Sequence, residues 1–342
     1  MSLRSVDGGG PASTGTGGAG VADGAAAWEC PADVGAEALG RVAYFAALDS
    51  VNDLAVGPDG NLWLAEEGPY LERLTTDGVF TRIPLPTSDV GRTIALGSDG
   101  SLWIPDKIGF FYRLSPQGDF STTAVTLGFA SAFDLTLCPD GNLWLGVGHR
   151  LGRLTPMGEL TGFALPDAVG DLLALTRGPD GSLWFCGTPN LGTDVGAGDL
   201  INMCGRISYT GEVTVVATLV SDAWVSRLTA GPDGNLWFGE YGINSLFRMT
   251  ITGEVSEFPL PSTGGTPEDL AIGPDGNLWF TKNNIPTSVG GSVGRITMAG
   301  EVAELPLGNL APRRIVAGSD GDLWFTTTDN TIGRLTPSTG AR

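Results

Sequence analysis

The chain has 342 residues, 53 of them Gly and 22 Pro, and a formal net charge of -19 at pH 7. That charge repels phosphates, which excludes nucleic acid and an anionic membrane surface as natural partners. No apolar run approaches the roughly 18 residues of a membrane-spanning helix, so no membrane span is expected.

The N-terminus lacks the apolar core of a signal peptide, so no leader is visible. It reads instead as a Gly/Ala/Ser/Thr tract, from Gly8-Gly9-Gly10 to Ala25-Ala26-Ala27. Such a tract buries too little apolar surface to offset its ordering entropy. Residues 1–40 are therefore expected to be a flexible tail, and residues 41–342 a single domain.

Within that domain one octapeptide recurs. Its fullest form is Gly231-Pro232-Asp233-Gly234-Asn235-Leu236-Trp237-Phe238, and variants begin at Gly57, Gly97, Cys138, Gly178, Gly273 and Gly318. Pro presets φ for the first corner of a turn, Asp suits the next, and Gly takes the left-handed conformation that releases a second strand. Leu-Trp-Phe then supplies an apolar strand buried on both faces. The motif tryptophans, from Trp63 to Trp324, are spaced by 40, 41, 40, 53, 42 and 45 residues. A period near 40 with several short strands per repeat predicts an all-β, seven-bladed β-propeller of four-stranded blades.

In chain order the blades read 52–86, 92–128, 133–166, 172–220, 226–261, 268–307 and 313–340, the last completed by 40–48. Strand a runs into the Pro-Asp-Gly turn and strand b carries Leu-Trp. Strand c has the pattern Gly-Arg-Leu-Thr, and a second Gly turn leads to strand d. Arg41-Val42-Ala43-Tyr44-Phe45 matches a strand d with no blade ahead of it, whereas Thr331-Ile332-Gly333-Arg334-Leu335 is a strand c with almost no chain after it. The N-terminal strand should therefore join the last blade near Ile332 to Thr336 and close the ring, removing an open sheet edge.

A strand-c Arg and a turn Asp occur in every blade, from Arg73 and Asp59 to Arg334 and Asp320. A feature repeated in all blades is symmetric, so these residues read as architecture. Function belongs where the blades differ, on the face carrying the b–c loops and the blade-to-blade connections. The b–c loops Cys186–Cys204 and Lys282–Val293 are long. Cys186 and Cys204 sit at the facing ends of antiparallel strands b and c, which predicts a disulfide across the loop base. Cys30 with Cys138 is the leftover pair. Cysteines in this number, outside any Cys-x-x-Cys pair, fit an extracytoplasmic setting, periplasmic, secreted or tethered by the tail; a cytoplasmic home with buried thiols stays open.

The channel mouth on the variable face mixes carboxylates with Arg and aromatics. Asn52, Arg92, Phe133, Arg227, Arg313 and Tyr241 are the expected ligand-binding residues. Asp53, Asp134, Glu268 and Asp269 are of the chemical type that holds a hard cation such as Mg2+ or Ca2+. Glu240, Tyr241 and His149 are the candidate catalytic groups.

The repeated Gly-Pro-Asp-Gly-Asn-Leu-Trp-Phe followed by Gly-Arg-Ile/Leu-Thr resembles the streptogramin B (virginiamycin B) lyase family over residues 41–339. For its lyases the resemblance implies Mg2+-assisted opening of a cyclic depsipeptide by elimination at its ester, using a Glu and two His at the channel mouth. This chain has one His, His149, and where such a lyase reads Phe-Thr-Glu-His it has Phe238-Gly239-Glu240-Tyr241. A His is the side chain whose ordinary pKa suits a base at neutral pH. The sequence therefore favours an extracytoplasmic, monomeric binding propeller for a small molecule, peptide or glycan. The alternative is a divalent-metal-dependent enzyme with a diverged site, either a lyase or a lactonase-like hydrolase. A third possibility is a structural module displayed on a stalk.

Overall fold

Each blade is organised by its first turn. In blade 5 Gly234 takes φ 77°, and the Asp233 carboxylate accepts the backbone N–H of Asn235 (3.2 Å) and the indole N–H of Trp237 (3.1 Å). The strand-c Arg248 stacks over the Trp237 ring at 5.6 Å and pairs with Asp233 at 3.8 Å. The same Asp–Trp–Arg unit recurs in blade 6 with Asp275, Trp279 and Arg295, and in blade 7 with Asp320, Trp324 and Arg334. It supports the architectural reading of both repeated sets. The Gly that opens the motif leaves room for the indole: a Cβ on Gly178 would stand 2.1 Å from Trp184 Cδ1.

The computed structural model describes residues 28–29, 39–47, 49–66, 68–86, 91, 93–107, 109–124, 134–189, 200–221, 224–284 and 290–338. They form antiparallel four-stranded sheets spanning 51–84, 95–124, 134–164, 169–221, 225–259 and 266–306. The seventh joins 312–337 to Gly40–Ala46. The molecule is thus the seven-bladed propeller that the repeat predicts. No helix among the described residues is long and apolar enough to cross a membrane.

Closure follows the expected register, with Arg41 opposite Thr336 and Phe45 opposite Ile332. Within the span expected to be a tail, the described residues join the propeller. Trp28–Glu29 pairs with Tyr44 and Ala43 as a fifth strand, and Leu39 is buried against Leu335 in a core cluster.

The core lies between blades. Trp63 packs with Leu102 and Ile104 of the next blade, and Trp324 of the last blade with Leu62 and Leu64 of the first. Volumes are matched across strands b and c. Phe280 faces Gly294 and Phe325 faces Gly333, where a Cβ would meet the ring at 2.1 and 2.0 Å. Where strand b carries the smaller Leu64, strand c opposes it with Glu72.

Cys186 and Cys204 are bridged, with Cα atoms 4.2 Å apart, as the facing strand ends predict. Cys138 is a free, buried thiol; Cys30, its expected leftover partner, lies outside the described residues. Cys138 replaces the motif Gly of blade 3 beside Tyr209, and burial pushes its pKa up to about 12.

Candidate site at the channel mouth

One position per blade, just before the apolar anchor of strand a, carries Asp53, Thr93, Asp134, Ala174, Arg227, Asp269 and Arg314 in turn. Their interactions cross the ring. Arg227 of blade 5 reaches past blade 4 to Asp134 of blade 3 (2.7 Å), and Arg314 of blade 7 pairs with Asp53 of blade 1 (3.5 Å). Thr93 donates its hydroxyl to Asp53 at 2.9 Å.

The three aspartates also tie neighbouring blades together. Asp53 accepts the N–H of Leu54 and, across the blade boundary, that of Ile94. Asp134 accepts from Leu175, and Asp269 from Leu270 and Ile315. Their lone pairs are directed at backbone and guanidinium donors. Among the described residues, no group of three or more His, Cys, Asp or Glu could hold a metal ion. Asp53, Asp134 and Asp269, three of the four residues expected at a divalent cation, are engaged as inter-blade tethers.

Above this layer lie Glu268, Tyr241, Asn283 and Arg313. Asn283 donates to Glu268 at 3.4 Å. Tyr241 is half-exposed, and its nearest charged groups are Glu268, Arg314, Arg313 and Arg227. Burial raises its pKa and Glu268 adds to the rise, against the three Arg, so it stays a protonated phenol at neutral pH. Burial likewise raises Glu268 and Asp269 above the ordinary carboxylate range, against their Arg neighbours. Arg227 is driven the other way from what burial alone would do, because Asp134, Asp269 and Asp53 hold it charged. Three polar atoms of this region are buried with no hydrogen-bond partner in the chain: Asn52 Nδ2, Arg227 Nη2 and Asn283 Oδ1.

The structure thus brings Asn52, Arg227, Tyr241, Glu268, Asp269 and Arg313 to one end of the channel. Arg92 and Phe133 lie outside the described residues. His149 is exposed in the turn between strands b and c of blade 3, outside this group. Glu240 is separated from Tyr241. It is buried and lines a cavity between blades 4 and 5, because successive strand residues point to opposite sides. Sequence reading missed that cavity and the tethering hydroxyl of Thr93.

A family model described as "Virginiamycin B lyase family" matches residues 49–199 and 200–341. Among curated protein sequences none matches the chain. Among solved structures it is similar to one titled "Streptogramin B lyase structure", at 26% identity and a TM-score of 0.74, covering 88% of this chain and 99% of that one. It is also similar to selenomethionine-substituted virginiamycin B lyase from Staphylococcus aureus, at 24% identity and TM-score 0.72, covering 86% and 98%. A catalytically inactive His-to-Ala form of the Staphylococcus aureus enzyme with quinupristin matches at 23% identity and TM-score 0.71, covering 86% and 98%.

Proposed function

The chain belongs to the virginiamycin B lyase family, and from that premise we propose that it is an extracytoplasmic propeller that binds an amide-rich ligand, a peptide or cyclic depsipeptide, at the channel mouth without turning it over. The observation that carries this reading is the set of unsatisfied atoms at the mouth. Asn52 Nδ2 and Arg227 Nη2 are donors, and Asn283 Oδ1 is an acceptor. A buried polar group left unpaired costs on the order of 1–3 kcal/mol. A ligand presenting carbonyls and N–H groups together satisfies both kinds, and the half-exposed Tyr241 ring offers it an apolar face.

Catalysis is less well supported. The relatives' titles name lyases, but the three aspartates are engaged as tethers, the chain's one His, His149, sits in the blade 3 turn, and Tyr241 is a protonated phenol. A second reading, a diverged lyase, rests on Glu268, whose raised pKa suits a general base.

Isothermal titration with a cyclic streptogramin B tests the binding reading. Saturable binding is expected, weakened about tenfold in Asn283→Ala, the loss of one buried hydrogen bond. Absence of binding, or equal affinity of the variant, overturns it. Glu268→Gln separates the two readings: it leaves a binding protein binding, and it abolishes any turnover by a diverged lyase.

A further inference from the structure

The outer strand of a blade ends its sheet. It presents a row of backbone N–H and C=O groups that can template any extended chain. Most blades blunt that edge. The outer strands Phe80–Pro84, Val255–Pro259 and Val302–Pro306 close on Pro and carry Arg82, Glu257 and Glu304. Phe120–Ala124 and Leu160–Ala164 are only five residues long. In blade 7 the outer strand Gly40–Ala46 is paired by Trp28–Glu29, antiparallel, with Trp28 opposite Tyr44.

Blade 4 uses neither charge, Pro nor shortness. Its outer strand, Val213–Ser221, runs for nine residues with no charged side chain and no Pro. Thr214, Val215 and Thr218 are exposed. Among the described residues, no backbone hydrogen bond from outside its own sheet reaches residues 213–219. A bulge at Val216, between the pairs Val215–Gly205 and Ala217–Cys204, bends the edge without charging it. Behind it the Cys186–Cys204 bridge fixes strand c to strand b. The flanking charges are carboxylates. Glu212 precedes the strand and is exposed. Glu254 follows Gly253, which packs on the Val216 carbonyl, and Glu257 shares a cleft wall with Val216 and Leu219. Arg206, opposite Thr214 on strand c, is engaged by Asp180 at 4.0 Å.

We propose that this edge docks an extended peptide with a β-branched centre and cationic ends, added antiparallel as a fifth strand. The addition repeats on blade 4 what Trp28–Glu29 does on blade 7. Backbone hydrogen bonds supply the affinity. Thr and Val on the added strand pair across it with Thr214, Val215 and Thr218. The cationic ends follow from charge complementarity with Glu212, Glu254 and Glu257. A net charge of -19 sets two copies of the chain against each other, so a second copy fits the edge less well than a cationic peptide. The site lies on the rim of the disc and does not depend on what the channel mouth binds.

Titration with a capped peptide, Lys-Thr-Val-Thr-Val-Thr-Lys, at low ionic strength tests the proposal. One control carries Glu at both ends. A second has its central amides N-methylated and cannot pair with a sheet edge. The Lys peptide should saturate one site, at least about tenfold more tightly than the Glu peptide, and the N-methylated peptide should show no saturable binding. Val215→Lys, a change at an exposed edge residue, should weaken the Lys peptide at least about tenfold and leave the melting temperature unchanged. If that variant fails to fold, the N-methylated peptide still decides. No saturable binding of the Lys peptide, equal binding of the N-methylated one, or an unaffected Val215→Lys overturns the site. Sedimentation of the protein alone supplies the remaining outcome: a dimer that Val215→Lys dissociates gives the edge to a second copy and overturns the peptide assignment.

Discussion

The two faces of the disc obey different rules. On the turn face, Asp, Trp and Arg repeat from blade to blade, and each Asp–Trp–Arg unit closes within its own sheet. On the mouth face the equivalent strand-a position varies among Asp, Thr, Ala and Arg, and contacts such as Arg227 to Asp134 skip a blade. Repetition marks the parts that build the ring, and asymmetry marks the parts that meet something outside it. Substitutions on the first face should therefore cost stability, and those on the second should cost recognition.

The sharpest contrast is at the seam. Deleting residues 1–48 removes Gly40–Ala46 and exposes the Thr331–Pro337 edge, so the protein should lose cooperative unfolding or aggregate. Deleting residues 1–27 should leave the melting temperature unchanged. Calorimetry of the two truncations checks this, and equal behaviour would break the closure account.

Next in size is a single turn-face residue against a single mouth residue. Trp279 is fully buried, and Trp279→Ala should cost about 3–5 kcal/mol in denaturant unfolding. The exposed Arg313 changed to Ala should stay within about 0.5 kcal/mol of the parent. A mouth substitution as damaging as the Trp change would erase the distinction between faces.

The disulfide tests whether the longest mouth-side loop is clamped by the scaffold. Cys186→Ser with Cys204→Ser opens a bridge spanning a sequence separation of 18, and should cost on the order of 3 kcal/mol. Unchanged unfolding would show that the loop base holds without it.

The smallest expected effect is a pH dependence inside blade 1. Burial and the adjacent Glu72 carboxyl hold the Glu66 pKa well above the ordinary range, against Arg82. The folded protein thus binds a proton that the unfolded chain releases. Stability from this group is complete below the ordinary Glu range and falls as pH rises toward the elevated folded value. Glu66→Gln should flatten that fall and raise the melting temperature at pH 8 by about 2 °C. A melting temperature lowered equally at pH 5 and pH 8 would contradict the assignment.

Much of the fold was legible because its determinants are local. Pro-Asp-Gly sets a corner, Trp follows at a fixed distance, and a strand d without its blade announces closure. The disulfide was legible for the same reason, since Cys186 and Cys204 occupy facing register positions. The site was legible in part. Asp53, Arg227, Glu268 and Tyr241 could be placed at the mouth by blade arithmetic. That Asp53 and Asp269 tether the next blade could not, because the bonds to Ile94 and Ile315 join residues more than 40 apart in sequence. Reading Glu240 beside Tyr241 failed on pleat geometry, which sends neighbours to opposite sides of a strand.

The central claim is that the mouth binds without turning its ligand over. The direct measurement is incubation with a cyclic streptogramin B and excess Mg2+, with chromatographic separation of the cyclic and linear isomers, which share one mass. The account predicts that the cyclic form persists while titration registers binding. Losing a positioned general base lowers rates on the order of 10²–10⁴-fold, so linearisation at the rate of a family lyase run in parallel would contradict it.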